Sequence, residues 1–386
     1  MLTLKGKYNS ANVMIDDIDD TTKQQIYGFL NHPAFAHTYI AIMPDCHAGA
    51  GAVIGFTAKM NDYVIPNVVG VDIGCGVLAI ELADVETIDL TKLDNFIREN
   101  IPSGFSIRDP QQKMICGATP NELVAYNMRA SISDITLRTN QSFNKVVGSL
   151  GTLGGGNHFI EIACTDNGKY WLLIHSGSRN FGLKIAQYHQ QQAKSLLKKM
   201  FAGADAYKDL EYLPVDNGGR EYLADMMVAQ EYAALNRILM GEIITGKFFG
   251  LPFATLNSID TVHNYIKPKD RIIRKGAVSA HEGEKLIIPF NMRDGSMLCT
   301  GKGNSKWNYS APHGAGRILS RKKAKATLDI AEFTSEMKGI FSTSISEDTL
   351  DESPMAYKDK DIIINAIEET VTIDAFLKPV YNFKAS

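Results

Sequence analysis

The chain has 386 residues, of which 45% are hydrophobic and 22% charged, and its formal net charge is −3. This composition is typical of a globular protein, and the net charge excludes nucleic-acid binding through bulk positive charge, so any such binding needs a local basic patch. No apolar run approaches the roughly 20 residues of a membrane span, and the N-terminus lacks a basic-then-apolar signal. We therefore expect a cytoplasmic protein without a membrane segment.

Five cysteines occur, an odd number, and none belongs to a Cys-x-x-Cys pair. This pattern fits a reducing compartment better than a disulfide framework. A thiol kept reduced in such a compartment is available as a metal ligand.

Short apolar runs separated by glycine-rich turns occupy the first part of the chain. Residues 39–43, 53–58, 68–71 and 77–82 are predicted strands, and residues 84–100 are predicted to form a loop and then a helix. Two more strands are predicted at residues 159–162 and 171–175, and polar residues lie at their ends.

The middle and the end of the chain differ in pattern. From residue 222 to about residue 248, apolar side chains recur at helical spacing, with the charges on the opposite face. Strands are predicted between residues 261 and 300, and helices predominate from 316 to 377. We expect an α+β fold that forms a single unit over residues 1–386, with a helical excursion at about residues 185–250.

The first cluster with evident chemistry is Asp72-Ile73-Gly74-Cys75-Gly76, which follows the apolar run at residues 68–71. In a turn, the carboxylate and the thiol of this segment can reach one point. A carboxylate with a thiolate begins a site for a borderline transition metal, and a thiolate can bridge two ions. A buried cysteine beside a turn aspartate is the alternative.

Nine histidines occur, several of them in polar or glycine-rich settings that a core histidine rarely needs. His158 follows three glycines and Asn157, His175 ends a predicted strand, and His263 lies in a short β-type run. Each of them alone could be a satisfied structural histidine. Together with Asp72 and Cys75 they make a complete ligand set for two metal ions.

The segment Ser310-Ala311-Pro312-His313-Gly314-Ala315-Gly316-Arg317 sets one imidazole among small residues and follows it with a guanidinium. A histidine nucleophile needs an open face and cationic help for the group it attacks. Glycines let the backbone approach a phosphate, and an arginine grips phosphate oxygens in a fixed fork. His313 is thus a candidate nucleophile, and a turn histidine before a helix is the alternative.

Other nucleotide chemistries find little support. No Gly-x-x-x-x-Gly-Lys-Ser/Thr segment occurs, so a P-loop is absent. The Lys-x-Asp-Gly pattern of lysine-adenylylating ligases is also missing, because Met292 stands at the lysine position before Arg293-Asp294-Gly295.

This combination of motifs resembles the RtcB family of RNA ligases. The similarity starts near Met43-Pro44-Asp45-Cys46-His47 and passes through the segments of Asp72, His158, His175 and His263. It continues through residues 274–325 and ends at Lys378-Pro379-Val380-Tyr381-Asn382-Phe383-Lys384. The resemblance covers most of the chain, and it implies the family's own α+β fold with mixed β-structure around a dinuclear metal site.

The resemblance also implies a role for each matching position. Cys75 matches a cysteine that bridges two Mn²⁺ ions; Asp72 and His158 would complete the ligands of one ion, and His175 and His263 those of the other. His313 matches the residue that receives GMP from GTP. Positions near the nucleotide are matched by Asn157, Glu161, Asn291, Gly314, Ala315, Gly316 and Lys384, of which Glu161 and Lys384 contact guanine. Basic residues around phosphates are matched by Arg179, Arg317 and Arg321.

The implied activity is a GTP-dependent joining of RNA ends. An RNA 3'-phosphate or 2',3'-cyclic phosphate end is joined to a 5'-hydroxyl end through a guanylylated histidine and an RNA 3'-guanylylated intermediate, in tRNA splicing or RNA repair. RNA and GTP are the implied partners, and an archease-type activating protein is a further candidate. Manganese rests on the resemblance alone, because a thiolate and three imidazoles favour Zn²⁺ over Mn²⁺ in the general affinity order.

RNA contact is best supported after His313. Basic residues follow it on a predicted helix, and Arg317 and Arg321 are expected one turn apart on the same face. A solvated basic face is the alternative, chiefly for Lys322, Lys323 and Lys325, which follow the two arginines.

One segment departs from the family pattern. Pro289-Phe290-Asn291-Met292-Arg293 stands where the family is expected to carry Pro-Gly-Ser-Met-Gly, in a loop that lies against the nucleotide. Phe290 and Arg293 add bulk and charge there, and we expect Arg293 to contact an RNA phosphate in preference to the nucleotide.

Two other functional classes stay open from the sequence. A metal-dependent RNA phosphodiesterase or phosphatase would use the same metals without a histidine nucleophile. A noncatalytic RNA-binding paralogue would have lost a ligand or His313, yet all of these residues are present.

Overall fold

The structure, a computed structural model, describes residues 1–115, 117–124, 126–200 and 207–385, without the side chains of residues 126 and 127. Cys116 and residues 201–206 of the expected helical excursion therefore lie outside the described residues. In chain order the strands are β1 (Leu2–Lys5), β2 (Ser10–Val13), β3 (Ile40–His47), β4 (Ile54–Lys59), β5 (Tyr63–Val64), β6 (Gly76–Leu82), β7 (Phe159–Cys164), β8 (Tyr170–Ser176), β9 (Leu213–Pro214), β10 (Ser258–Val262), β11 (Asn264–Lys267), β12 (Ile272–Lys275), β13 (Ala277–Ser279), β14 (Lys285–Asn291), β15 (Gly295–Gly301), β16 (Ser310–Pro312) and β17 (Val371–Lys384).

The α-helices lie mostly between groups of strands. They are α1 (Asp20–Leu30), α2 (Pro66–Val69), α3 (Leu90–Asn100), α4 (Pro120–Leu123), α5 (Tyr126–Arg138), α6 (Phe143–Gly148), α7 (Arg179–Met200), α8 (Arg220–Ile243), α9 (Arg321–Thr327), α10 (Ile330–Glu336) and α11 (Lys360–Ala366). Aspartate N-caps begin α1 and α3, where Asp19 and Asp89 accept hydrogen bonds from backbone amides of the first turn. In the described part of the chain we find no helix with the length and apolar character needed to cross a bilayer.

Two larger sheets organise these elements. One has the order β1-β2-β3-β4-β12-β11, and the other has the order β10-β6-β8-β7-β17-β15-β14. Strands β2 and β3 pair in parallel, whereas the other pairs of described strands are antiparallel. The mixed sheets and interspersed helices confirm the α+β class.

The seven-stranded sheet curls until its two edge strands meet. Thr261 of β10 accepts a hydrogen bond from the backbone amide of Ile287 in β14, at 3.1 Å. Strand residues alternate between two apolar clusters, so that Val77 and Ala79 face the inside of the curl while Leu78 and Ile80 face the main core. Helix α8 packs on β6 and β8 from the main-core side.

Three of the sequence expectations are wrong. Residues 66–69 form α2 where a strand was predicted at 68–71, because Pro66 presets a helical first turn and a short apolar run does not distinguish a strand from a buried helix. β17 replaces the end of the region predicted to be helical, and its exposed and buried residues alternate from Val371. In α8 the buried face includes Asn236 and Arg237, so the polar residues are not confined to the outer face.

The other expectations agree with the structure. Strands β3, β4, β6, β7 and β8, helix α3 and the strands from β10 to β15 lie where the patterns predict them. The helical excursion contains α7 and α8, although it begins at Arg179. The main apolar cluster draws residues from Leu4 to Phe383, which supports a single unit, although the division into domains stays a prediction.

Candidate active site

Four neighbouring strands end at one edge of the seven-stranded sheet and carry predicted metal ligands there. The antiparallel register pairs Gly76, the first residue of β6, with Ser176 of β8 and with Val262 of β10. Phe159 at the start of β7 pairs with His175. Cys75, His158, His175 and His263 thus all lie within one residue of paired strand ends. Because neighbouring strands run about 5 Å apart, the register alone gathers these four side chains.

The donor atoms form two groups that share Cys75. In one group the Nε2 of His158 lies 3.1 Å from Oδ2 of Asp72 and 3.6 Å from Sγ of Cys75. In the other group the Nε2 of His175 lies 3.3 Å from the same sulfur, and His263 completes the set. Within each group the donor atoms lie within 4.8 Å of one another. This grouping matches the partition that the resemblance implies.

Backbone carbonyls fix the orientation of two imidazoles. Nδ1 of His158 donates to the carbonyl of Leu153 at 2.8 Å, and Nδ1 of His175 donates to that of Asn157 at 3.1 Å. Since a carbonyl only accepts, each ring carries a hydrogen on Nδ1 and directs its Nε2 at the sulfur. Burial lowers the pKa of His175 and His263 well below the usual value, which keeps both rings neutral.

The donor set fits a pair of divalent transition-metal ions. Burial opposes ionisation of Asp72, but the hydrogen bond and charge of His158 outweigh it and lower the pKa of Asp72 to about 2. Burial and the charge of Asp72 raise the pKa of the Cys75 thiol well above its usual value. A half-buried carboxylate, a sulfur that needs a cation to ionise and three imidazoles are the ligands that such ions take.

Two buried residues of α8 tie the ligand-bearing segments together. Arg237 forms a bidentate ion pair with Asp260 at 2.7 Å and donates to the carbonyls of Gly74 at 2.8 Å and Ser176 at 2.9 Å. The side chain of Asn236 accepts a hydrogen bond from the backbone amide of Thr152 and donates one to its carbonyl, each at 3.1 Å. Through these contacts one helix fixes the segments that precede Cys75, follow His175 and lead to His158.

His313 stands next to the metal ligands and is oriented by a buried carboxylate. Its ring centroid lies 4.8 Å from that of His263. Its Nδ1 lies 2.6 Å from Oδ2 of Asp45, an oxygen that also accepts from the backbone amide of His313 at 3.2 Å. Asp45 is fully buried, and with its carboxylate holding the hydrogen on Nδ1, the Nε2 of His313 carries a free lone pair.

A cavity of about 660 Å³ opens beside His313. This volume is in the range of small-molecule sites. Twelve of the predicted site residues line it: Asn157, Glu161, His175, His263, Asn291, His313, Gly314, Ala315, Gly316, Arg317, Arg321 and Lys384. Asp72, Cys75, His158 and Arg179 are not among its described lining residues.

Glu161 and Lys384 lie on neighbouring strands in this cavity. Glu161 is buried on β7 and pairs across the sheet with Asn382 of β17, whose Nδ2 donates to Oε2 of Glu161 at 2.8 Å. Burial raises the pKa of Glu161 to about 8, although the amide of Asn382 and the charge of Lys384 oppose that shift. Glu161 therefore needs a further hydrogen-bond donor before it ionises readily at neutral pH.

A second buried carboxylate, that of Glu352, forms ion pairs with three basic side chains at the cavity wall. Its Oε1 lies 3.3 Å from Arg317 and 2.5 Å from Arg321, and its Oε2 lies 2.8 Å from Lys384. Burial opposes its ionisation, but these cations lower the pKa of Glu352 to about 2. The expected shared helix of the two arginines is wrong, because α9 begins only at Arg321 while Arg317 bridges to Tyr357. Their common partner brings them together.

Arg179 lies on the far side of the metal ligands from this cluster. Its guanidinium approaches Nδ1 of His158 at 3.5 Å and donates to the carbonyl of Gly104 at 3.2 Å. Gly154 has a φ of +86°, and a side chain at that position would overlap the guanidinium. The glycine-rich segment before His158 thus serves partly to admit Arg179.

The segment that departs from the family pattern is held by its own contacts. Phe290 and Met292 are buried in two different apolar clusters. Oδ1 of Asn291 accepts from the backbone amides of Arg293 at 3.0 Å and Asp294 at 2.9 Å. Arg293 forms ion pairs with Asp294 and Glu336. The added ring and charge are thus absorbed by packing and pairing.

Sequence reasoning missed the roles of several residues at the site: Asp45, Asn236, Arg237, Glu352 and Asn382. Three of them carried a signal. Asp45 lies inside the first matching motif, Asn382 lies inside the last, and Arg237 places a charge within the apolar stripe of α8. We find no local pattern that marks Glu352.

Comparison with known proteins finds relatives of one family. The family model described as "tRNA-splicing ligase RtcB" matches residues 25–385. An "RNA-splicing ligase RtcB" from Escherichia coli is 31% identical over 395 residues, which cover 94% of each chain. A protein of the same name from Mycobacterium tuberculosis is 28% identical, covering 85% of this chain and 92% of its own, and a "tRNA-splicing ligase RtcB" from Aeropyrum pernix is 26% identical, covering 84% and 82%. The chain belongs to the RtcB family.

Proposed function

We propose that the chain is a GTP-dependent RNA ligase that joins 3'-phosphate or 2',3'-cyclic phosphate ends to 5'-hydroxyl ends. The observation that carries the proposal is the setting of His313. Asp45 holds its Nδ1 at 2.6 Å, and its ring shares a cavity with His175 and His263 of the metal-ligand groups.

The first step transfers GMP to His313. Nε2 attacks the α-phosphorus of GTP, a nitrogen–phosphorus bond forms, and the bond from that phosphorus to the bridging oxygen breaks so that pyrophosphate leaves. The imidazole gains positive charge in this step, and the carboxylate of Asp45 offsets it through Nδ1–H. Asp45 is therefore proposed to position His313 and to stabilise the charged ring.

Two divalent ions, for which we propose Mn²⁺, supply positive charge that offsets the phosphates as pyrophosphate departs. Asp72, Cys75, His158, His175 and His263 would hold them. Glu161 and Lys384 are proposed to contact guanine, with Asn157, Asn291 and the turn Gly314, Ala315 and Gly316 around the nucleotide. Arg179, Arg317 and Arg321 are proposed to hold phosphates.

The later steps transfer GMP and seal the strand. An oxygen of the RNA 3'-phosphate attacks the phosphorus on His313, the nitrogen–phosphorus bond breaks, and the neutral imidazole is restored. The RNA 5'-hydroxyl then attacks the activated 3'-phosphate, loses its proton, and GMP leaves. At a cyclic phosphate end, water first attacks the phosphorus, the bond to the 2'-oxygen breaks, and that oxygen takes up the proton, which leaves a 3'-phosphate.

Labelling with GTP tests the proposal. Incubation with α-labelled GTP and Mn²⁺, followed by denaturing electrophoresis, should give a protein-linked label that survives base and is lost in acid. His313→Ala should bind metal and remain folded without taking label, and it should still join RNA that carries a guanylylated 3' end. Asp45→Asn should slow labelling by about 10²- to 10⁴-fold.

The same experiment separates the alternatives. Cleavage of a 2',3'-cyclic phosphate without any protein label would indicate a metal-dependent phosphodiesterase. RNA binding with neither reaction would indicate a noncatalytic paralogue. A normal label on His313→Ala would place the nucleophile elsewhere.

A further inference from the structure

Asn382 is a buried polar residue in the nucleotide cavity that the steps above do not use. Its side chain is 1% exposed, and that of its cross-strand neighbour Glu161 is 2% exposed. The pair is joined by one hydrogen bond of 2.8 Å, and both residues line the cavity.

Each of the two side chains has one oxygen that is not used in the hydrogen bond between them. Oε1 of Glu161 and Oδ1 of Asn382 are buried and have no hydrogen-bond partner among the described residues. Buried polar atoms are nearly always paired, so two unpaired oxygens side by side in a cavity indicate a ligand that donates two hydrogen bonds.

The orientation of the amide follows from its neighbour. In the ionised state that guanine requires, Glu161 only accepts, so the NH₂ group of Asn382 is turned to Glu161 and its oxygen is left as an acceptor. The next pair on the same face of the two strands is Phe159 and Lys384, with the ammonium 5.4 Å from the ring centroid. The free oxygens thus lie beside a cation and an aromatic ring, in a setting suited to a nucleobase.

We propose that Asn382 is a base-specificity residue whose amide oxygen accepts a hydrogen bond from the exocyclic amino group of guanine, while Glu161 accepts from the ring N–H. This proposal rests on the proposed function. Guanine presents these two donors side by side, whereas adenine presents one donor and one acceptor on the same edge and hypoxanthine lacks the amino group.

The test pairs a change in the protein with a change in the base. Rates of self-labelling are measured with α-labelled GTP and with α-labelled ITP, which lacks the amino group, for the parent protein and for Asn382→Val. The parent should prefer GTP over ITP by about tenfold or more, the scale of one buried hydrogen bond. The variant should lose most of this preference, chiefly through slower reaction with GTP.

A control lies one residue away on the same strand. Tyr381 points to the opposite face, where its hydroxyl donates to Asp94 at 2.9 Å. Tyr381→Phe removes a buried hydrogen bond from β17 without changing the cavity, so its GTP-to-ITP ratio should match the parent's.

The ratio remains informative if the variant folds poorly, because both rates scale with the same folded fraction. Asn382→Leu provides a second shape for the same loss of polarity. An unchanged ratio in both variants, or equal slowing with both nucleotides, would overturn the contact with the amino group. Absence of label from the parent with either nucleotide would instead contradict the proposed function itself.

Discussion

The metal-ligand groups and the nucleotide cavity lie side by side, but they are assembled in different ways. The ligands are short side chains at paired strand ends, and backbone carbonyls orient two of the rings. The cavity wall depends on long side chains that satisfy one another, with Arg317, Arg321 and Lys384 gathered around Glu352. The metal-ligand groups are thus set by sheet register, whereas the cavity wall would have to exchange ion-pair partners to bind an anion. Substitution of a metal ligand should therefore abolish activity, whereas substitution in the cavity wall should reduce it by degrees.

The largest effect is expected at the shared ligand. Cys75→Ala should abolish both guanylylation and sealing, because one sulfur serves both donor groups and its loss loosens both ions. Metal content after dialysis and labelling with GTP measure the two effects. Cys164→Ala, at a half-buried position away from the site, is the matched control and should remain active. Full metal occupancy in Cys75→Ala would refute the bridging role.

A smaller loss is expected from the residue that supports the ligands. Arg237→Met removes the bonds to the carbonyls of Gly74 and Ser176, so metal affinity should fall by about 10- to 100-fold. Arg220→Met, on the exposed side of the same helix, should have no effect. The measurement is a titration with Mn²⁺ or Co²⁺.

Adding Asp260→Asn to Arg237→Met separates this effect from stability. The double variant removes both charges of the pair, so it should recover part of the lost free energy of unfolding without recovering metal affinity. Recovery of both together would show that Arg237 acts only through stability.

At the cavity, binding of guanosine without added metal should depend on pH. The pKa of Glu161 is raised to about 8, so this group is protonated in the folded protein at pH values where it is ionised in the unfolded chain. Its contribution to stability is present below about pH 4.5 and is lost as pH rises through about 8. Guanine needs the ionised form, so affinity should rise by up to about tenfold per pH unit between about pH 6 and pH 8, where the protein gives up a proton on binding.

Glu161→Gln is the control for that pH dependence. Its amide does not titrate, so guanosine affinity should be weaker and nearly constant across the same range. Lys384 and Asn382, the neighbours that oppose the rise in the pKa of Glu161, are the same in the variant. A steep pH profile that persists in Glu161→Gln would assign the titration to another group.

The smallest effect is expected at Arg293. Its guanidinium already pairs with Asp294 and Glu336, so Arg293→Ala should change RNA binding and self-labelling by less than about twofold. RNA binding across a salt series measures this. A clear loss of affinity with a shallower salt dependence would restore the phosphate contact expected from the sequence.

Much of the site was predictable because its chemistry lies in the donor atoms themselves. The thiol, the carboxylate and the histidines stand in glycine-rich or strand-end segments, and the structure places all five predicted ligands in two adjoining groups. The strand predictions at residues 77–82, 159–162 and 171–175 explain why, since these runs become the paired strands whose ends carry them.

The wrong predictions concern features that depend on which distant segment of the chain a residue packs against. The apolar run at 68–71 fits a strand as well as a buried helix, and only the structure shows α2. Arg317 and Arg321 were expected to meet through one helix, but they meet through Glu352, more than 30 positions later in the chain.

The sequence by itself determined the fold class, the ligand chemistry and the candidate nucleophile, because residue types and short-range spacing suffice for these. Only the tertiary structure decided which residues support them. Asp45 reaches His313 across 268 positions, Arg237 reaches Gly74 across 163, and Asn382 reaches Glu161 across 221. Such contacts depend on sheet register and helix packing, which bring distant segments together by burying apolar surface that no local motif encodes.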